Sequence, residues 1–348
     1  MISRDLTLSS IKETPEKIPF NPYIMHLAAS LIKVNYSHDY VQKPEILAEA
    51  QIKCANFFGI DHVNVSTDAY REASTWGVQV DFSGHTPVPK SGTELNWQEF
   101  DGVETPDLSE SIRIENRVKA VKLLKEQVGS EQCVIGWIEA PFAEIHCLFG
   151  TEVFYIVADE NWDELIKNLI KRVLPIQLEF AKMQIEVGAD IIGAGDSIVS
   201  QIGPMRYQKG CLELTQKLFR DIQKAIPVLY HTCGDNSVVD KMGRDMLQLL
   251  ARTGASILDI DSPVDLTIAK EKIGDKICIR GNTDTSKVGN PYSNPDEIIK
   301  IINKTIEAGK PNGRYMYAAG CEWPWEPLDM AIRNLSMAKA INEKIGYY

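Results

Sequence analysis

Eight short apolar runs recur along this 348-residue chain, with helix-periodic tracts between most of them. They are Ile18–Ile24, His62–Ser66, Cys133–Ile138, Ala189–Ile192, Ile226–Tyr230, Ser256–Ile260, Lys276–Arg280 and Arg314–Ala318. Such runs read as buried strands. The tracts between them include Glu45–Phe58, stopped by Gly59, and Asp163–Val187, interrupted by Pro175 and ended by Gly188. Tyr207–Ala225, Asn236–Thr253 and Asn294–Ala308 show the same helical spacing. Strands alternating with helices imply parallel βαβ units. Eight of them predict an α/β fold, a single (β/α)8 TIM barrel spanning residues 1–348. An open doubly wound sheet is disfavoured, because no Gly-x-Gly-x-x-Gly follows an early strand. Two stretches stand outside the pattern. Residues 1–17 are polar and predict an N-terminal arm. The stretch 77–107, rich in Gly, Pro and polar residues with Gln79-Val80-Asp81-Phe82 alternating, predicts an inserted hairpin and loop near the barrel mouth.

In such barrels the chemistry sits where strands end. Polar residues just past the expected strands are His26, Asp68, Glu139, Asp196, His231, Cys233, Asp259, Asp261, Asn282, Asp284 and Cys321. Loops are polar in any case, so most of these are expected to be turn or capping residues. Three differ. His231 and Cys233 close one strand two residues apart, and alternate residues of an extended chain share a side. Cys321 follows another apolar run, in Ala319-Gly320-Cys321, 88 positions further on. One imidazole and two thiolates with an open fourth position form a donor set for catalytic zinc. The other five cysteines, Cys54, Cys133, Cys147, Cys211 and Cys278, sit in apolar patterns and are expected to be small buried hydrophobes. An odd total of seven at scattered spacings does not suggest a disulfide framework.

The paired glycines of Gly193-Ala194-Gly195-Asp196 would let a backbone approach a ligand, or form a tight loop with Asp196 as a cap. Gly281-Asn282-Thr283-Asp284 carries the same two readings. The Trp323 and Trp325 side chains, in the rigid Trp323-Pro324-Trp325-Glu326-Pro327, could wall the mouth or pack a loop. A formal net charge of −11 argues against nucleic-acid binding. No window is apolar enough for a membrane span, and the first residues lack the pattern of a signal peptide, so a cytoplasmic location is expected.

Taken in order, Ala140-Pro141-Phe142, Gly188-Ala189-Asp190, Gly195-Asp196, His231-Thr232-Cys233-Gly234, Gly281-Asn282 and Gly320-Cys321 resemble the uroporphyrinogen decarboxylase superfamily. The resemblance runs from about Pro19 to Lys339. It is closest to the corrinoid-linked branch that includes methylcobamide:coenzyme M methyltransferases. It implies zinc on His231, Cys233 and Cys321, with Asp196 lining the pocket as a catalytic residue. A methyl group would pass between a substrate thiol or methoxy oxygen and the cobalt of a cobalamin held by a partner corrinoid protein. His26, Glu72, Glu139 and Asn282 are the expected substrate-binding residues. The decarboxylases' early Met-Arg-Gln-Ala-Gly-Arg segment has no counterpart. Tyr23-Ile24-Met25-His26-Leu27-Ala28-Ala29 contains no arginine. Nor does any of the six histidines fit the corrinoid-binding Asp-x-His-x-x-Gly pattern, so the cobalamin is expected on another chain or free. Porphyrinogen decarboxylation and a silent barrel that only docks a corrinoid protein are the alternatives.

Overall fold

A computed structural model describes residues 1–348. Seven parallel strands form one curled sheet: β1 (His62–Asn64), β2 (Cys133–Glu139), β3 (Ile191–Asp196), β4 (Val228–Thr232), β5 (Ile257–Ile260), β6 (Cys278–Thr283) and β7 (Tyr315–Ala319). Spatial order equals chain order. Each neighbour is therefore reached by a crossover, most of them helical, as in a TIM-like barrel. Every strand residue is buried, which accounts for the near-continuous apolar runs.

The expected first strand, Ile18–Ile24, does not form as a strand. Pro19 and Pro22 have no N–H to give, so no continuous ladder can run through them. The segment instead makes isolated bonds to both sides of the gap. The Asn21 amide donates to Tyr317 of β7 (2.8 Å), and Phe20 accepts from the Asp61 amide just before β1 (3.0 Å). The fourth strand also lies later than expected. It runs to Asp196, so Gly193 and Gly195 are strand residues and not a loop.

Most helices match their sequence signals. Pro44–Phe58 ends at Gly59 in the left-handed region (φ 67°), and Trp162–Glu186 carries Pro175 within it. Pro295–Gly309 starts with a capping box between Asn294 and Glu297. The expected helix Asn236–Thr253 is mostly loop, and only Met246–Ala251 is helical. Asp240 explains much of this. Its carboxylate accepts the amides of Met242 and Arg244, folding the chain into a turn that competes with the helix.

The N-terminal arm holds a short helix, Ser3–Ser9, clasped by Arg4 to Asp190 at 2.9 Å. The insert contains the expected hairpin, Val80–Asp81 against Val88–Pro89. Its far end is held by the Arg172 guanidinium, 4.6 Å from the Phe100 ring centre. No helix is long and apolar enough to cross a membrane.

Candidate metal centre at the barrel mouth

His231, Cys233 and Cys321 come together, with their ligand atoms all within 4.8 Å of one another. His231 Nε2 lies 3.2 Å from the Cys233 sulfur. Atoms bound tetrahedrally to zinc at its usual bond lengths sit roughly 3.6 Å apart, so the donor set fits with about 1 Å of closure at most. His231 is buried, whereas both cysteines are partly exposed, so the open side of the set faces out of the mouth.

Three loops make this meeting possible. The Asp261 carboxylate, just past β5, accepts the Gly234 amide (2.8 Å) beside Cys233. A side chain at Gly320 would meet the Ser262 nitrogen at 2.4 Å and Asp261 Oδ1 at 2.7 Å, so only glycine lets the end of β7 approach this closely. Asn282 holds the same loop from β6, donating to the carbonyls of Asp261 (3.1 Å) and Val264 (2.7 Å). Asp261 and the two glycines thus clamp the cysteines toward each other, with Asn282 serving as a brace.

Behind the metal ligands lies a buried charge chain. Register places Glu139, Gly195, His231, Asp259 and Arg280 on one rung from β2 to β6, all on the inner face. The Nδ1 of His231 meets Asp259 Oδ2 at 2.7 Å. Arg280 binds that same oxygen, and its other N–H groups donate to the Asn21 carbonyl (2.7 and 3.0 Å). A carboxylate on Nδ1 fixes the ring orientation that turns Nε2 toward the cysteines. Burial opposes protonation of His231, but Cys233 and Asp259 together raise it well above the usual histidine value. Between the thiols, a hydrogen bond from Cys233 brings Cys321 down to about 4 against the effect of burial. The same bond, and then burial, pushes Cys233 up. The sequence alone puts Asp259 on the rim without a role and gives Arg280 none. The available signal was a charged residue inside each of two neighbouring apolar strands, which burial makes costly unless they pair.

The remaining expected site residues are distributed differently. Asp196 faces the helix layer, where its carboxylate takes the Tyr230 hydroxyl (2.9 Å) and the Val199 amide (3.0 Å), and burial raises it to about 7. His26 stacks between Tyr36 (ring centres 3.6 Å apart) and Trp325 (5.0 Å). Its Nδ1 meets Glu322 at 3.0 Å and its Nε2 meets Thr86 of the hairpin at 2.9 Å. Both ring nitrogens are engaged, so His26 ties the hairpin to the residue after Cys321. Glu72 and Glu139 share a buried cluster with Arg71. Arg71 donates to Glu139 Oε1 (2.5 Å), and Glu72 accepts the Glu139 amide (2.8 Å). Burial, more than any neighbour, pushes Glu72, Glu139 and the nearby Glu144 upward.

The glycines of β3 have a packing reason. A side chain at Gly193 would strike the Trp137 ring at 2.3 Å. Trp137 in turn lies 5.1 Å from the Tyr23 ring, which itself lies 5.9 Å from His231. An aromatic floor thus runs across the interior to the histidine.

The family model described as Uroporphyrinogen decarboxylase (URO-D) matches residues 4–338. Among curated proteins, the uroporphyrinogen decarboxylase of Geobacter sp. (strain M21) is 23% identical over 279 residues, 77% of each chain. That of Chlorobium phaeobacteroides is 22% identical over 322 residues, 88% of each chain. Among solved structures, a methyltransferase from Methanosarcina mazei superposes with a TM-score of 0.84 at 18% identity, covering 99% of both chains. A B12-independent methionine synthase from Shewanella sp. W3-18-1 superposes at 0.55 with 13% identity, covering 94% of this chain and 96% of that one.

Proposed function

The chain belongs to the uroporphyrinogen decarboxylase family, and within it we propose a zinc-dependent methyltransferase that works with the cobalamin of a partner corrinoid protein. The observation that carries this reading is the meeting of one imidazole and two thiols within 4.8 Å at the mouth of the barrel. Zinc held there would act as a Lewis acid on a methoxy oxygen, or favour the thiolate of a bound thiol, as the methyl group moves to or from cobalt.

The chain's own residues have separable tasks. His231 presents Nε2 because Asp259 holds its Nδ1, and Arg280 neutralises Asp259. Cys233 and Cys321 approach because Asp261 and the adjoining glycines draw their loops together. Glu139, at the far end of the inner rung, is the polar group placed to orient a substrate across from the metal ligands. Trp137 and Tyr23 supply a surface that excludes water beneath it. The hairpin, tied through Thr86 and His26 to Glu322, covers one side of the mouth.

The names of the curated relatives favour a second reading, porphyrinogen decarboxylation. That reaction needs cations free to hold the substrate's carboxylates. Here Arg71 and Arg280, at the inner rung, are engaged with Glu139 and Asp259, the third buried arginine, Arg117, donates to the Val41 carbonyl, and the segment after Pro22 offers none. The test is metal analysis of gently purified protein, followed by two assays: methyl transfer with methylated or Co(I) corrinoid protein, and carbon dioxide release from uroporphyrinogen. Stoichiometric zinc and cobalamin-dependent methyl transfer, both lost in Cys321→Ala, are expected. Carbon dioxide release by protein without metal would replace this reading with the decarboxylase.

A further inference from the structure

Almost all of the chain's excess negative charge sits in two stretches of the mouth face. Residues 77–107, which follow β1, carry six carboxylates and one lysine, a net −5. Residues 150–164, which follow β2, carry five carboxylates and no cation, another −5. Together they supply −10 of the formal −11. None of these eleven carboxylates is in an ion pair. Several exposed carboxylates elsewhere do take a lysine, as in Asp39 with Lys43, Glu45 with Lys119 and Glu49 with Lys53.

The two stretches meet around a groove of about 740 Å³. The Leu95 amide donates to the Leu148 carbonyl (2.8 Å), which joins its two sides. Glu94 lies against Gly150, where a side chain would meet its Cγ at 3.3 Å. Leu95, Trp97, Phe149 and Tyr155 form the apolar lining, and Glu94 and Glu152 the acidic edge. Tyr155 is 76% exposed. It has company on this face: Val88, Val238, Val239, Met242 and Tyr292 are also exposed beyond strand ends, whereas the opposite end of the barrel exposes Phe57 and the chain termini. Apolar exposure and unanswered charge thus coincide on the face that holds the metal ligands, and each separately marks a contact surface. The charge selects the occupant. It repels nucleic acid and anionic lipid and attracts a protein with a basic face. Ring faces beside carboxylates suit a guanidinium or ammonium, which takes cation–π and charge-assisted contacts together.

We propose that the groove between these two stretches docks a basic segment of a partner protein, whose arginine or lysine side chains pack on Tyr155 and Trp97 and pair with Glu94 and Glu152. The partner then sits over the mouth on the side of β1 and β2. The inference goes beyond the metal-centre reading and rests on it for one point, that the partner seated here is the chain carrying the cobalamin. Docking by charge at the rim sets encounter rate and orientation without touching the metal donors.

The probe is a fluorescent peptide with arginines spaced by glycine and alanine, beside a counterpart with glutamine in place of each arginine. Binding to the full chain is read by anisotropy at low and at physiological salt. The arginine peptide should bind at least about tenfold more tightly than its counterpart at low salt and weaken as salt rises. In Glu94→Gln/Glu152→Gln its affinity should fall at least about fivefold, and in Tyr155→Ala about threefold. Glu16→Gln/Glu307→Gln removes the same charge from exposed positions at the opposite end and should stay within about twofold of the parent. Glu94 and Glu152 are exposed, and glutamine can still accept the Gly92 amide that Glu94 holds, so the fold is not at stake. Equal losses in the two double variants would reduce the attraction to net charge and overturn the proposal, as would absence of binding to the parent. Self-association of the parent that disappears in Glu94→Gln/Glu152→Gln would make a second copy of this chain the occupant and overturn it too. Methyl transfer from free methylcobalamin needs no docked partner and should be unchanged in Glu94→Gln/Glu152→Gln. Absence of zinc and of transfer in the parent, with peptide binding intact, would overturn the metal-centre reading and leave the docking surface standing with a different partner.

Discussion

Replacing Asp259 by Asn tests the link between the buried charge chain and the metal centre. The substitution keeps the shape of the side chain and keeps one oxygen where Oδ2 now meets both His231 and Arg280. Its amide nitrogen would take the place of Oδ1, which is buried and has no partner in the parent. What is lost is one negative charge. Two effects follow and can be measured apart. A carboxylate that holds the far nitrogen of a metal-binding imidazole is worth about 10–100-fold in metal affinity, or roughly 1.4–2.7 kcal/mol. Removing one member of a buried ion pair costs about 3–5 kcal/mol. The low end applies here, because the Asn21 carbonyl and the remaining oxygen still accept from Arg280. Urea unfolding of metal-free parent and variant, with equal slopes required, reads the stability loss. Competition with a chromogenic zinc chelator reads the affinity. A folded Asp259→Asn protein whose zinc affinity stays within about twofold of the parent would refute the orienting role assigned to Asp259.

Four further outcomes are expected. Cys321→Ala should lose zinc and methyl transfer while its circular dichroism and urea midpoint stay near those of the metal-free parent; surviving activity would move the site elsewhere. Gly193→Ala should destabilise the fold by about 1–3 kcal/mol in denaturant titrations, since the added carbon would meet the Trp137 ring at 2.3 Å; an unchanged midpoint would mean the ring can move aside. Burial works against the charge on Asp68, but Arg113 and Arg71 outweigh it and hold the group down to about 2, below its unfolded value of 3.8. Its stabilisation, on the order of 2.5 kcal/mol, is therefore present above about pH 4 and lost as pH falls through about 2, so the stability gap between parent and Asp68→Asn should shrink from pH 7 to pH 3; a constant gap would count against the pairing. Thr86→Val should free the hairpin from His26 and speed proteolytic cleavage near residues 83–92, with zinc content unchanged; an unaltered cleavage rate would show that the ring contacts suffice.

Where the sequence was informative, the reason was a periodic pattern or a rare chemical group. The helices after Asn161 and Asn294 carry long apolar stripes with clear ends, and both form within a residue or two of expectation. The five buried cysteines separate from Cys233 and Cys321 by context alone, because those two follow strand ends beside glycine. Competing local forces obscured the rest. Pro19 and Pro22 sit in an apolar run yet cannot sustain a ladder, and Asp240 captures amides that a helix would have used. Gly193 and Gly195 read as a turn because glycine usually marks one. They are flat strand residues whose missing side chains make room for Trp137, a partner 56 positions away that no local pattern reveals.

The same point bears on how far the two sides of the barrel mouth can vary independently. Holding the three ligands depends on β4, β5 and β7 and the loops beyond them, through Asp259, Asp261 and the glycines beside each cysteine. The opposite side of the mouth depends on β2 and β3, through Glu139, Trp137 and the glycines that make room for that ring. The two sets meet along the rung of Glu139, Gly195 and His231, and through the Trp137 and Tyr23 rings that reach the histidine. A change at 139 should leave His231, Cys233 and Cys321 in place, whereas a change at 259 should loosen the hold on His231. Glu139→Gln should therefore bind zinc with an affinity near that of the parent, read by competition with a chromogenic chelator. Loss of zinc from that variant would show that the two halves of the mouth are coupled more tightly than the shared rung implies.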